Sequence, residues 1–183
     1  MRDARSAEDN AQKGEGFCTS PETFEKFLSE HYDRIFAYAW RVLGNHADAE
    51  DLTQEVCLAL PRKLAGYRGD CAPTTWLYRI VSNAAIDMLR RNAAAGRSKG
   101  AWADSLALAA ADGQKRTRDS QWLSQAMSAL PEDLRVTAAL LVDREMSQAE
   151  AAQALDVAPG TIAWRMSEIK KRLKAVAKEE CHD

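Results

Sequence analysis

Three observations predict an all-α chain of two small helical domains joined by a flexible linker, the second holding a helix-turn-helix. Alanine and leucine are plentiful while β-branched residues are sparse. Wherever apolar residues follow a pattern, they recur at steps of three and four. Between two such regions, the pattern dissolves over Asn92 to Ser120 into alanine, glycine, serine and scattered charge. At 183 residues, each domain must be small. The expected boundaries are a tail at 1–19, a first domain at 20–91, the linker at 92–120, a second domain at 121–178 and a tail at 179–183.

The formal net charge of −2 argues against a protein that coats nucleic acid by charge alone. Local charge matters more: acids gather at Asp48 to Glu55, bases at Arg165 to Lys178. No apolar run is long enough to span a membrane, so no membrane insertion is expected. The first residues, MRDARSAEDNAQKGEG, are polar, lack a signal-peptide core and read as a disordered tail. Cys18, Cys57, Cys71 and Cys181 show no metal-ligand spacing, so free thiols in a reduced, cytoplasmic chain are expected, with no metal and no cofactor. A redox or metal switch through these cysteines or the Cys181-His182 tail is the minor alternative.

Ser20-Pro21-Glu22 reads as a helix start, followed by Phe24, Phe27, Leu28, Tyr32, Ile35, Phe36, Ala39 and Val42 at helical spacing. His31 sits beside this stripe as a core-edge residue, and Gly44-Asn45 ends the helix. A second helix is expected from about Ala47 to Leu64, with Ala49, Leu52, Val56, Ala59 and Leu60 buried. Asp48, Glu50, Asp51, Gln54 and Glu55 fall mainly on its other faces, a solvated surface unless a basic partner meets it. Pro61 predicts a kink or an end near Leu60, since an interior proline removes a donor and costs roughly 3 kcal/mol.

The stretch Gly66 to Arg91 is a glycine-pinned loop feeding a third helix, with Thr74 or Thr75 as the expected cap. Leu77, Ile80, Val81, Ala84 and Met88 form its inner stripe, while Trp76, Arg79 and Asn83 share another face. Tyr67 and Cys71 lie in the loop, and Arg90 and Arg91 close the helix. Arginines meet phosphates, aromatic faces stack on bases and an amide reads a base edge, so the set suits single-stranded nucleic acid. The alternative is a surface helix with an aromatic core stripe.

The linker, with Trp102, Leu106 and Leu108 as docking candidates, could extend on the order of 95 Å. As a relaxed coil it would span nearer ~30 Å, enough for two domains on DNA about one ~35 Å turn apart. In the second domain, Trp122, Leu123, Ala126 and Met127 make a short helix broken at Leu130-Pro131, and Leu134, Thr137, Ala138 and Leu141 carry the next. Ser147-Gln148-Ala149-Glu150 is a capping box, Asp156-Val157-Ala158 a tight turn, and Pro159 opens a helix with Ile162, Met166, Ile169, Leu173 and Val176 on one face. Two short helices across a three- to four-residue turn, the second ending in a basic run, is helix-turn-helix logic. Ala152 is small, as a close helix crossing requires; an ordinary helical hairpin is the alternative.

In this order, three segments resemble a bacterial RNA polymerase sigma factor of the extracytoplasmic-function (ECF) type: DAEDLTQEV, YRGDCAPTTWLYRIVSNAAIDMLRR, and ALPEDLRVTAALLVDREMSQAEAAQALDVAPGTIAWRMSEIKKRL. The resemblance implies a promoter-specificity subunit without catalytic residues. Its partners would be core RNA polymerase (the β′ clamp helices and β flap), promoter DNA and an anti-sigma factor. Asp48, Glu50, Asp51, Gln54 and Glu55 would bind core polymerase. Tyr67 and Asn83 would form a pocket for a flipped −10 base, with Arg79 and Arg90 on phosphates and Trp76 either a wedge at the bubble edge or core. Thr161, Arg165 and Lys170, expected towards the exposed side of the last helix, would meet the −35 element.

The chain departs from the family pattern at several positions. Ala163 and Trp164 stand where a lysine and a small residue are common, and Glu168 where a basic residue is common. Ala151 and Ala154 replace larger apolars, and Pro61 an aromatic. No particular −35 sequence is therefore implied, and Trp164 is open to a protein contact instead. Two rival readings are a sigma-like decoy that titrates an anti-sigma factor, and a helix-turn-helix repressor.

Overall fold

The computed structural model describes residues 21–96, 126–142 and 146–180, all in helices and the turns between them. Six helices make up the framework: α1 (Pro21–Leu43), α2 (His46–Leu64), α3 (Pro73–Ala94), α4 (Glu132–Leu141), α5 (Gln148–Leu155) and α6 (Pro159–Glu180). A further helical turn at 126–128 precedes α4. The expected N-terminal tail, the cap Ser20, the linker residues Trp102, Leu106 and Leu108, Trp122 and Leu123, Cys18 and the Cys181-His182 pair lie outside the described residues, whereas the first two residues of the expected C-terminal tail, 179–180, end α6.

α1 buries His31, Ile35, Tyr38, Ala39 and Val42 along one stripe, and its most extensive packing is on α2. His31 is the core-edge residue expected, its Nδ1 2.9 Å from the Phe27 carbonyl and its ring stacked on Phe27. Gly44 ends α1 with φ +72, donating to the Trp40 carbonyl at 2.7 Å. Asn45 caps α2, its Oδ1 accepting from the Asp48 N–H at 3.2 Å; such a cap contributes about 1 kcal/mol. The Tyr38 hydroxyl and Ser82 Oγ, 2.8 Å apart in the core, tie α1 to α3, and Tyr38 meets the Tyr78 ring edge-on.

Two local expectations are corrected. Pro61 does not end α2, which continues through it to Leu64. Only the last turn lies beyond it, and Pro61 is exposed, so water can take up the carbonyl left without a donor. Neither Thr74 nor Thr75 caps α3. Pro73 occupies the first turn with its φ already helical, Ala72 is the cap position, and no side chain caps it. Thr75 is buried instead, with no hydrogen-bond partner for its hydroxyl.

The second unit follows its sequence signals closely. Ser147 and Glu150 form the reciprocal capping box, with the Glu150 N–H donating to Ser147 Oγ at 3.2 Å and the Ser147 N–H to Glu150 Oε2 at 2.8 Å. Asp156 takes the left-handed conformation (φ 53) that turns the chain, and the Val157 N–H returns to the Ala152 carbonyl. Ala152 is buried where the helices cross, and Pro159 opens α6. The two units pack together: α3 lies on α5, and α1 on α4, through a shared apolar core.

Candidate nucleic-acid interface

The loop before α3 is locally self-supported. Gly69 sits at φ +77. The Tyr67 hydroxyl donates to the Cys71 carbonyl at 2.6 Å, and the Tyr67 ring lies 5.2 Å from Trp76. Trp76 is half-buried and packed on the core, which favours the core side of its two expected roles. Burial pushes the Cys71 thiol up, with Arg79 opposing and Asp70 adding to it; burial likewise raises Cys57. Raised thiols hold little thiolate, so neither has the character of a reactive cysteine.

Between α2 and α3 runs a groove of about 650 Å³ lined by Glu55, Lys63, Arg79, Asn83, Asp87 and Arg90, among others. Asn83 is exposed within it. Three of the expected −10 residues, Arg79, Asn83 and Arg90, are thus brought together. Tyr67 lies in the loop before α3, beside Trp76, and is not among the residues that line this groove. Arg79 also reaches the other unit, its Nη2 and Nε donating to the Gln153 carbonyl at 2.7 and 3.2 Å. That carbonyl lies in the last turn of α5, where it also accepts a long bond from the Asp156 N–H at 3.4 Å and the helix end is negative. Arg90 pairs with Glu132 at 3.4 Å across the same junction, an exposed pair of little energetic weight.

On α2, Glu50, Asp51, Gln54 and Glu55 are exposed as expected, Glu50 beside His46 at 3.6 Å and Glu55 beside Arg91 at 3.6 Å. Asp48 is half-buried, and its carboxylate accepts from Asn92 Nδ2 at 2.9 Å, a part-buried bond that joins α2 to α3. Leu58 was missed. It is 82 % exposed and shares a face with Asp51, Gln54 and Glu55, at steps of three and four. Counting seven residues on from Asp51 in the sequence would have found it.

The last helix holds the largest correction. Arg165 is not on the open side; its side chain is only 16 % exposed. Nη1 donates to Thr137 Oγ1 at 3.2 Å, and Nε lies 3.5 Å from Asp133 Oδ2, an ion pair without hydrogen-bond alignment. The reason is register. Position 165 is three past Ile162 and four before Ile169, both buried, so it points to α4, where Asp133 and Thr137 wait. Thr161 is half-buried and Lys170 exposed. Trp164 is 60 % exposed. Glu168 is paired with Arg172 at 2.9 Å and Lys171 at 3.9 Å, which offsets its charge. Among the described residues, no group of three or more His, Cys, Asp or Glu is placed to hold a metal, and no helix is long and apolar enough to cross a membrane.

Residues 27–95, which take in most of α1 and all of α2 and α3, match the Sigma-70 region 2 family. The ECF RNA polymerase sigma factor SigE of Mycolicibacterium smegmatis is 30% identical over 160 residues, covering 83% of this chain and 60% of SigE. The ECF RNA polymerase sigma factor SigM of Mycobacterium tuberculosis is 29% identical over 150 residues, covering 82% of this chain and 74% of SigM. The chain thus spans three-fifths to three-quarters of these relatives. The fold matches the sigma factor RpoE of Bartonella quintana, solved in complex with the anti-sigma factor NepR, with a TM-score of 0.66 and 23% identity over 85% of this chain and 96% of that one. An acidic helix and an arginine-asparagine groove beside it thus lie within a Sigma-70 region 2, and about four-fifths of the chain is similar to sigma factors of the ECF type.

Proposed function

We propose that this chain is a promoter-specificity subunit. It binds core RNA polymerase in the bacterial cytoplasm, directs it to two DNA elements and helps open the duplex at the −10 element. The polymerase performs the chemistry; the chain supplies binding. The observation that carries this reading is a juxtaposition within one unit: an exposed acidic face on α2 beside the groove that holds Asn83, Arg79 and Arg90.

Asp51, Gln54 and Glu55, with Leu58 at their side, form the polymerase-docking face, charged at the rim and apolar within. Glu50 belongs to the same face, whereas Asp48 serves the fold. In the groove, Asn83 reads an extruded base and the arginines take phosphates. Flipping costs a few kcal/mol, and stacking returns about 1–3 kcal/mol per base, so hydrogen bonds and phosphate contacts supply the rest. Residues 20–91 act as the polymerase-binding and −10 domain, 121–178 as the −35 domain, and 92–120 as the linker. Because Arg79 rests on the Gln153 carbonyl, engagement of DNA by α3 requires α3 and α5 to part. An anti-sigma factor that holds the units together would act as a brake, and NepR bound to the related fold gives that partner class its support.

The decoy reading draws on one observation: Arg79 and Arg165 are both engaged within the chain. Asn83, exposed in the groove without a role in the fold, weighs against it. Run-off transcription separates the two. Promoter-dependent transcripts with core polymerase support the sigma reading; core binding without transcripts supports the decoy.

A further inference from the structure

We propose that Trp164 is a base-reading residue of α6 that meets a thymine in the major groove of the −35 element. The inference rests on the promoter-binding reading above and assigns the contact that Arg165 does not make.

Four observations converge on Trp164. It is 60 % exposed although it is a large apolar side chain, and it lies in the second turn of α6, the half that a helix-turn-helix presents to base edges. Its exposed neighbours Gly160, Ala163 and Ser167 are small, and the space around Gly160 is open, so little stands between the indole and an approaching base pair. Arg165 is withdrawn onto Thr137 and Asp133, and Glu168 is offset by Arg172, which leaves Trp164 as the large side chain on this face. One to three turns further along, Lys170, Lys171 and Lys174 surround a surface hollow of about 550 Å³ with Ser167. An apolar reading edge followed by a lysine cluster suits a groove floor flanked by phosphates. An acidic or apolar protein surface would leave one half of this face unmatched.

The chemistry selects thymine. Of the four bases, thymine alone carries a methyl group in the major groove, and it presents the O4 acceptor beside it. The indole offers an apolar face for that methyl and a single N–H donor for that oxygen. A groove about 12 Å wide admits the helix with its indole.

The test uses holoenzyme assembled from the full chain and bacterial core polymerase. The probe is a promoter duplex found by mapping RNA 5′ ends in cells that overproduce the chain, with each −35 thymine replaced in turn by deoxyuridine, which lacks only the methyl. Wild-type protein should lose about fourfold in affinity at one or two positions, the value of burying one methyl group. Trp164→Ala should bind the thymine probe more weakly and ignore the deoxyuridine change there, with helicity and melting unaltered. Trp164→Phe, which keeps an apolar face, should retain the sensitivity. Wild-type protein indifferent to deoxyuridine at every −35 position would overturn the assignment, as would Trp164→Ala keeping the full loss. The first arm needs no variant and so does not depend on how the variant folds. If wild-type holoenzyme gives no promoter-dependent complex at all, the promoter-binding reading fails and this inference with it; a normal complex without methyl sensitivity sinks this inference alone.

Discussion

The two helical units place several of their polar and charged residues differently. In the first, Asp51, Gln54, Glu55 and Asn83 stand exposed on α2 and α3. In the second, Arg135 and the −35 candidate Arg165 turn inward. Arg135 donates to the carbonyls of Leu130 at 3.0 Å, Ser128 at 3.1 Å and Val42 at 3.3 Å, the last across the junction between units. Burial lowers its guanidinium affinity for the proton, with Glu132 opposing. Arg165 is held on α4. A small unit has little apolar surface to bury, and the Arg135 fork on these carbonyls makes up part of the deficit. Charge in a sequence therefore does not by itself signal a ligand, since a guanidinium can equally serve the fold.

That contrast can be broken by mutation. The largest effect expected is from Arg135→Ala, which leaves three carbonyls without their donor and should lower stability by about 2–3 kcal/mol, read by urea unfolding. A change under about 0.5 kcal/mol would mean that the inward arginine is decorative. Arg165→Ala should follow at about 1–2 kcal/mol, through Thr137 and Asp133. Lys170→Ala should leave stability alone and reduce the salt slope of DNA binding by about 0.9, one phosphate contact. If Arg165→Ala instead flattens the salt slope with melting unchanged, the side chain turns outward on DNA and the inward geometry is wrong.

Tyr38 sharpens the comparison from within the first unit, where the core is aromatic and long-helixed. Burial pushes its hydroxyl well above the ordinary tyrosine range, the Ser82 hydrogen bond opposing and Tyr78 adding slightly. The folded state therefore keeps a proton that the unfolded state releases above about pH 10. The sign follows: this contribution is whole below that pH and falls as pH climbs. Tyr38→Phe should cost about 1 kcal/mol at neutral pH and flatten the alkaline decline. An identical decline in both proteins would place its cause elsewhere.

Smallest in stability and largest in function are the outward residues of the first unit. Asp51→Ala with Glu55→Ala should stay within about 0.5 kcal/mol of wild-type stability and weaken core-polymerase binding. Leu58→Ala should weaken it further. Unchanged affinity in all of these would move the docking face off α2.

Much of this was legible because it is local. Helix periodicity, the Gly44 stop, the Ser147–Glu150 box and the Pro159 start are each set by a few adjacent residues, and all appear as expected. What sequence reading missed depends on contacts distant along the chain. Asp48 was assigned to the docking face, yet its partner is Asn92, 44 residues on. Arg165 was assigned to DNA, yet it pairs with Asp133 and Thr137. Register alone held a clue there, since 165 sits between Ile162 and Ile169 on the buried side. Of the kink or end expected near Leu60, the end does not occur, because a proline in an exposed last turn leaves only one carbonyl to water.

Transcription by reconstituted holoenzyme is the most direct measurement of promoter reading by the first unit. Wild-type chain and core polymerase should yield run-off transcripts from a promoter mapped by RNA 5′ ends. Asn83→Ala, with unchanged core affinity, should lose discrimination at one −10 base and keep it at the others. Transcripts absent despite core binding, or an equal loss with every −10 sequence, would contradict the account.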